Sequence, residues 1–214
     1  MFPALYSLPI MKKQLIAAAI LSTLLSGAAF AQQTTEGPWM VRARAVHLNS
    51  DNGGSTNLAG VGDLGLSMNN KWMPEVDVSY FFSPNVAVEL ILTVPQKQTL
   101  TSSKLGKVGT FKHLPPTLLA QYHFPMNGFK PYVGAGINYT RFSSVDLLPG
   151  VTMDKDSWGG ALQVGVDIPL SKSLYLNLDL KKVMIRTDVK VAGNKIGDFK
   201  ADPLLVGVGL GWRF

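Results

Sequence analysis

The chain has 214 residues, only 16% of them charged, with 21 glycines, no cysteine and a formal net charge of +6. This length suits one domain large enough for a closed core or barrel, and the missing cysteine excludes disulfides, thiolate metal sites and cysteine nucleophiles. The positive charge is too mild to point to nucleic acid, and no nucleic-acid partner is expected.

The segment "MKKQLIAAAILSTLLSGAAFAQQ" reads as a secretory signal. Lys12 and Lys13 form its basic head, Leu15 to Leu25 its apolar stretch, and Ala29-Phe30-Ala31 the small residues before cleavage after Ala31. That stretch is shorter than the ~20 residues a membrane-spanning helix needs. The uncharged "MFPALYSLPI" is unlike the start of a signal, which leaves Met1 and Met11 as alternative translation starts. Residues 1–31 are assigned to an N-terminal extension and cleaved signal, and residues 32–214 to a single domain. Loss of the two lysines lowers the net charge from +6 to +4.

After the signal the hydrophobic period is two, never 3.6. Strands are predicted near 38–48, 72–82, 86–94, 115–124, 130–141, 157–168, 174–185 and 203–214, an even set of eight. Their connections alternate. "SPN", "PMNGFK" and "PLSKS" are short and rich in turn formers, whereas 49–71, 95–114, 142–156 and 186–202 are long and polar. Long loops on one side and tight turns on the other are the layout of an outer-membrane barrel with periplasmic termini.

Each strand has one continuous apolar face. Val76, Val78 and Tyr80 alternate with Glu75, Asp77 and Ser79, and Leu174, Leu176, Leu178 and Leu180 alternate with Tyr175, Asn177, Asp179 and Lys181. Alternation alone fits a soluble lipocalin-like barrel equally well. Glycine position separates the two: Gly134, Gly136, Gly159, Gly165, Gly207, Gly209 and Gly211 share the polar face, and a narrow eight-stranded barrel has little interior room. The small and polar face is therefore placed inside and the aliphatic face against lipid. Aromatics cluster as two interfacial girdles require. Trp39, Phe82, Phe124, Phe129, Trp212 and Phe214 are placed at the periplasmic rim, and Trp72, Tyr139, Phe142 and Trp158 at the outer one. The last strand, "LLVGVGLGWRF", pairs with the first on closure, which satisfies its backbone.

The blocks "NVAVELILTVP" (85–95), "HLPPTLLAQYHF" (113–124), "KPYVGAGINYT" (130–140), "KDSWGGALQVGVD" (155–167) and "DPLLVGVGLGWRF" (202–214) resemble the OmpW family of outer-membrane proteins, in family order and spacing from Trp39 to Phe214. The resemblance implies an all-β, eight-stranded antiparallel transmembrane barrel with four long extracellular loops and three short periplasmic turns, in the outer membrane of a Gram-negative cell. It implies facilitated diffusion of small hydrophobic molecules, received in an apolar lumen and released sideways into the bilayer, as for the related alkane-uptake proteins. The terminal Leu210, Trp212 and Phe214 resemble the signal that barrel-assembly machinery recognises in outer-membrane proteins generally.

Glu75, Asp77, Glu89, Asp167, Asp179, Lys181 and Arg213 share the inward phase and depart from a purely apolar conduit. Unpaired charge in a dry barrel is costly, so these groups are expected to form an ion-paired plug joined by Gln121, His123, Asn138, Gln163 and Asn177. An ion-conducting path is the alternative. Toward the loops the inward phase becomes apolar: Ile91, Thr93, Thr117, Leu119 and Ala161, with Leu64, Leu66, Met68, Leu147, Leu148, Val151 and Met153 from the loops, form a candidate ligand pocket. His47, His113 and His123 are too scattered to suggest a metal site. No nucleophile motif is present, and neither an enzymatic activity nor a cofactor is expected. Lys97, Lys104, Lys107 and Lys112 make one loop basic, suited to lipopolysaccharide phosphates or simply to solvent. The partners expected are outer-membrane lipid and lipopolysaccharide, the assembly machinery and a small hydrophobic ligand. The competing function is a plugged structural or interaction barrel acting through its loops as a receptor, adhesin or envelope-stability element.

Overall fold

The computed structural model describes residues 36–214; the signal segment and the two candidate start sites lie outside the described residues. Sixteen strands follow in chain order among the described residues: β1 (Trp39–Asn49), β2 (Gly53–Leu58), β3 (Gly62–Asp63), β4 (Leu66–Met68), β5 (Lys71–Phe81), β6 (Val86–Thr93), β7 (Gln96–Ser102) and β8 (Gly106–Leu114). β9 (Thr117–His123), β10 (Lys130–Leu147), β11 (Val151–Met153), β12 (Asp156–Pro169), β13 (Leu174–Val183), β14 (Arg186–Val191), β15 (Asn194–Lys200) and β16 (Leu204–Arg213) complete the set.

Eight of them form a closed antiparallel barrel in the order β1, β5, β6, β9, β10, β12, β13, β16, and β16 returns to β1 from Met40↔Arg213 to Asn49↔Leu204. Closure leaves the barrel without a free edge, so every ladder N–H and C=O has a partner in an apolar solvent. The eight predicted strands are these eight, with ends differing by up to six residues.

The long connections differ from the sequence expectation, because they are largely β-structure. β7 and β8 make a hairpin that adds to the outer end of β10, and β4 adds to β7. On the opposite wall β11, β14, β15, β2 and β3 form a second small sheet. Their pairing is between separate connections, β15 with β2 for example, and it extends the wall beyond the barrel proper.

Side-chain direction follows the predicted phase. Val76, Leu90, Leu92, Val133, Ile137, Leu162, Val164, Leu178, Val206 and Val208 are exposed on the outer face, where lipid replaces water. Glu75, Asp77, Glu89, Gln121, Asp167 and Asp179 are buried inside. Trp39, Phe82, Phe124, Phe129, Trp212 and Phe214 are exposed toward the short-turn end, and Trp72 and Trp158 are exposed toward the other, Trp158 with Tyr139 at 4.8 Å between ring centroids. Phe142 does not belong to the outer girdle. It shares parity with Asn138 and Thr140, is buried inside, and packs on Phe111 with centroids 5.6 Å apart.

Interior glycines set how much the barrel can hold. At Gly165 a Cβ would lie 2.3 Å from the ring of Tyr132, so the missing side chain is the space in which that fully buried ring sits. At Gly209 a Cβ would meet the Ala43 carbonyl at 2.1 Å, so the strand passes too close to β1 for any larger residue.

Candidate functional site

Two arginines of β1 organise the lower lumen. Alternation along "WMVRARAVHLN" points Met40, Arg42, Arg44, Val46 and Leu48 inward, and the β1–β5 register sets Arg42 opposite Asp77 and Arg44 opposite Glu75. The Arg42 guanidinium donates to both oxygens of Asp167, Nε at 3.1 Å and Nη2 at 2.7 Å, while its Nη1 donates to Ser79 Oγ (2.8 Å) and Asp77 Oδ1 (3.1 Å). Arg44 donates through Nη2 to Asp77 and to Glu89 Oε1, the latter at 2.7 Å. Its Nη1 lies 3.0 Å from Asp179 Oδ2 as an ion pair off the hydrogen-bond axis. Lys181 closes the top by donating to Glu75 Oε1 at 2.6 Å and pairing with Asp179 Oδ1 at 2.8 Å.

Neutral side chains take up the remaining carboxylate oxygens. Gln121 and Gln163 each donate to Glu89 Oε2 at 2.9 Å, and Gln163 also donates to Asp179 Oδ2 at 2.7 Å. Tyr132 donates to the same Asp179 oxygen at 2.9 Å, and Asn177 donates to Asp167 Oδ1 at 2.8 Å. Such a network is stable only when its members are paired, since one bare charge in this setting costs several kcal/mol. It fills the cross-section, which makes this level a floor.

Two residues predicted for the plug lie elsewhere. Asn138 sits above it, donating to Thr117 Oγ1 at 2.8 Å and to the carbonyls of Pro115 and Pro116, where it braces the start of β9. Arg213 lies at the periplasmic end, 2.9 Å from Glu36 and stacked 3.8 Å above the Phe81 ring. His123 touches the network only through Gln121 Oε1 at 3.1 Å and is otherwise packed between Phe81 and Tyr132. Arg42, Arg44, Tyr132 and Ser79 are absent from the predicted plug set, although the period-two pattern of "VRARAV" already places both arginines inside.

Above the floor the lumen turns apolar. Val46, Leu48, Met73, Ile91, Leu119, Ala161, Val183, Ile185 and Leu205 form one buried cluster with Met68, Phe111, Phe142 and Phe199 from the outer extension. Among the described residues, cavities lie along it at three levels. The lowest, ≈ 20 Å³, rests on Glu75 and Lys181 and is bounded by Ile91, Thr93, His113, Pro115 and Thr117. A middle cleft of ≈ 10 Å³ shares His113 and Ile185 with it and adds Met68, Phe111 and Phe142. The outermost recess, ≈ 200 Å³, is lined by Leu58, Leu64, Leu66, Leu100, Val108, Leu148, Val151 and Val189 among others, all apolar.

The predicted ligand residues are thus split between levels. Ile91, Thr93 and Thr117 line the lowest cavity, Leu66 and Leu148 the outermost recess, and Leu119 and Ala161 belong to the buried cluster without lining any of the three, Leu119 standing opposite Glu89 in the register. Sequence reasoning missed Phe111 and Phe199, whose inward direction depends on hairpins formed within the connections, and left out Ile185, which continues the inward parity of Tyr175 to Lys181.

His113 belongs to the β7–β8 hairpin, beyond the ring of Trp72 and Trp158. Burial, and after it the charge of Lys71, hold its imidazole down to about 4, so it is neutral at physiological pH. Lys97, Lys104, Lys107 and Lys112 are exposed on the outer side of the same hairpin. Leu210, Trp212 and Phe214 are exposed on the outward phase of the C-terminal end.

Comparison with known proteins agrees with this geometry. The OmpW family profile matches residues 35–214. The chain is 34% identical to Outer membrane protein W of Escherichia coli (strain K12), across 95% of this chain and 100% of that protein. It is 31% identical to the Dibenzothiophene metabolism operon protein PahQ of Pseudomonas aeruginosa, across 84% and 90% respectively. The crystal structure of the outer membrane protein OprG from Pseudomonas aeruginosa superimposes with a TM-score of 0.73 and 29% identity, covering 86% of this chain and 98% of that one. A closed eight-stranded barrel with an aliphatic exterior, matched along all its described strands by one family, places this protein in the outer membrane: the chain belongs to the OmpW family.

Proposed function

We propose that the protein carries small hydrophobic molecules across the outer leaflet by facilitated diffusion, taking them from outside into the apolar upper lumen. The observation that carries this reading is the stack of apolar cavities ending on the closed ionic floor of Glu75 and Lys181. An outer recess of ≈ 200 Å³ without a polar lining residue exceeds the roughly 150 Å³ dry cavity that accommodates benzene. The name of the relative PahQ, from an operon for metabolism of an apolar sulfur heterocycle, points the same way.

The floor also supports a sideways exit. A solute cannot pass straight through the ion pairs, so it leaves sideways, where the lowest cavity reaches the wall at Thr93 and Pro115. There the β6–β9 ladder ends at Ile91↔Thr117, and Pro115 and Pro116 have no N–H with which to prolong it.

Whole-cell uptake of an alkane-like compound tests the reading in a deletion strain complemented with wild type or with Leu119→Asp. Leu119 is fully buried in the apolar cluster, and a carboxylate there is expected to abolish the gain in uptake given by wild type. Uptake that is the same with and without the wild-type protein would instead favour an interaction role carried by the exposed loops.

A further inference from the structure

One face of the β7–β8 hairpin interrupts the apolar passage with polar side chains. Gln96, Gln98, Leu100 and Ser102 alternate inward on β7, opposite His113, Phe111 and Gly109 on β8 and the turn beyond. Gln96 and Ser102 are satisfied locally: Gln96 Nε2 donates to the Val94 carbonyl at 2.9 Å, and Ser102 Oγ donates to the Leu64 carbonyl at 2.6 Å. Gln98 and His113 are not. Each is 1% exposed, and among the described residues no partner lies within hydrogen-bond reach of Gln98 Nε2 and Oε1 or of either His113 ring nitrogen.

Four orphan polar atoms on diagonal neighbours of one hairpin are a strong departure from the rule that buried polar groups are paired. Packing does not require them, since Met68, Phe111 and Phe142 beside His113, and Phe111 across from Gln98, would be served better by aliphatic residues. His113 borders both the middle cleft and the lowest cavity, and Gln98 lies directly across from Phe111 of that cleft. A primary amide offers a donor and an acceptor, and so does a neutral imidazole. Together they match a hydroxyl or a carbonyl. At ≈ 10 and ≈ 20 Å³ the two cavities beside His113 hold about one water-sized group each, too little for a phosphate or a hydrated carboxylate. The cations near this face are already engaged, Lys71 by the Lys97 carbonyl at 3.3 Å and Lys181 by Glu75 and Asp179.

We propose that Gln98 and His113 form a polar recognition step within the apolar passage, which selects hydrophobic compounds bearing one uncharged oxygen, a hydroxyl or carbonyl, over pure hydrocarbons. The alkyl portion lies in the recess lined by Leu64, Leu66, Leu100 and Val108, and the oxygen reaches the hairpin face. The inference rests on the transport reading and refines its substrate class.

The test is titration of the purified protein in lipid nanodiscs with 1-octanol and with n-octane. Side-chain NMR signals of His113, Gln98 and the Leu100 and Ile185 methyls are followed against the concentration of each probe in the lipid. The expected result is saturation of the methyl shifts by both probes, at roughly tenfold lower concentration for octanol, the worth of about one net hydrogen bond. The His113 ring nitrogens are expected to respond to octanol alone. Gln98→Leu and His113→Phe should erase the preference while octane still binds. Equal saturation by the two probes in wild type, with an unresponsive His113, would overturn the proposal and leave the transport reading intact, the two side chains then serving water. Methyl signals indifferent to both probes would remove the transport reading and this refinement with it. The wild-type comparison alone gives the answer if either variant fails to fold.

Discussion

Replacing Arg44 by Met removes the cation most deeply shared within the ionic floor. Its guanidinium contacts four carboxyl groups: Asp77, Glu89 at 2.7 Å, Asp179 at 3.0 Å and Glu75 at 3.5 Å. Methionine keeps most of the volume and deletes the charge, so packing loss is small and the electrostatic loss dominates. Arg42 and Lys181 remain, Arg42 against Asp167, Asp77 and Glu89 and Lys181 against Glu75 and Asp179, so that two cations then face five buried carboxylates. Breaking a buried pair by removing one partner costs about 3–5 kcal/mol, or roughly two to more than three decades in the ratio of folded to unfolded protein. Urea titration in lipid bilayers, with the folded fraction read from the gel mobility of unheated samples, measures that ratio. Asp77→Asn alone should also destabilise, and the double variant should cost less than the sum of the two by more than ~1 kcal/mol, because the residues share a contact. A loss below ~1 kcal/mol for Arg44→Met, or strict additivity in the cycle, would refute the view that the floor is held by mutual charge pairing.

Gly165→Val is expected to destabilise the barrel by about 1–3 kcal/mol, the usual cost of overpacking, because its Cβ would fall 2.3 Å from the Tyr132 ring. Gly207→Ala should be nearly silent in the same urea assay, since its nearest neighbours would be at 3.4 Å or more. His113 should make the outer hairpin acid-labile. Its pKa of about 4 when folded lies below the ordinary 6.5, so the open hairpin binds the proton first. The stabilisation is complete above pH 6.5 and is lost as pH falls toward 4, about 3 kcal/mol in all. Amide exchange in β7 and β8, corrected for intrinsic rates, should show that loss in wild type and be flat in His113→Phe; identical profiles would dismiss it.

Strand number, turn lengths and the inward or outward direction of each barrel side chain were legible because period two and glycine placement act residue by residue. Asp77 and Asp179 fall inside and Val78 and Leu178 outside on parity alone. The same parity places Arg42, Arg44 and Phe142 in the lumen; the arginines follow once strand one is phased, and reading a strand-end aromatic as a girdle residue overlooks Phe142. Other features were beyond any local pattern. That Arg42 grips Asp167, 125 positions away, depends on strand tilt and closure. The inward turn of Phe111 and Phe199 depends on hairpins within connections whose polar sequences carry no clear alternation. The candidate ligand residues were found on the right face, yet sequence spacing contained no measure of height, and so two separate cavities looked like one.

The eighteen-residue β10 has a consequence for the cell surface. At ~3.4 Å per residue and a ~40° tilt it climbs roughly 45 Å, whereas the apolar band of such a barrel is ~25 Å tall. Some twenty ångströms of wall therefore stand clear of that apolar band. On the transport proposed above, a compound entering at the rim would start its passage beyond that band, so the height of the wall would matter as much as the chemistry of its lining.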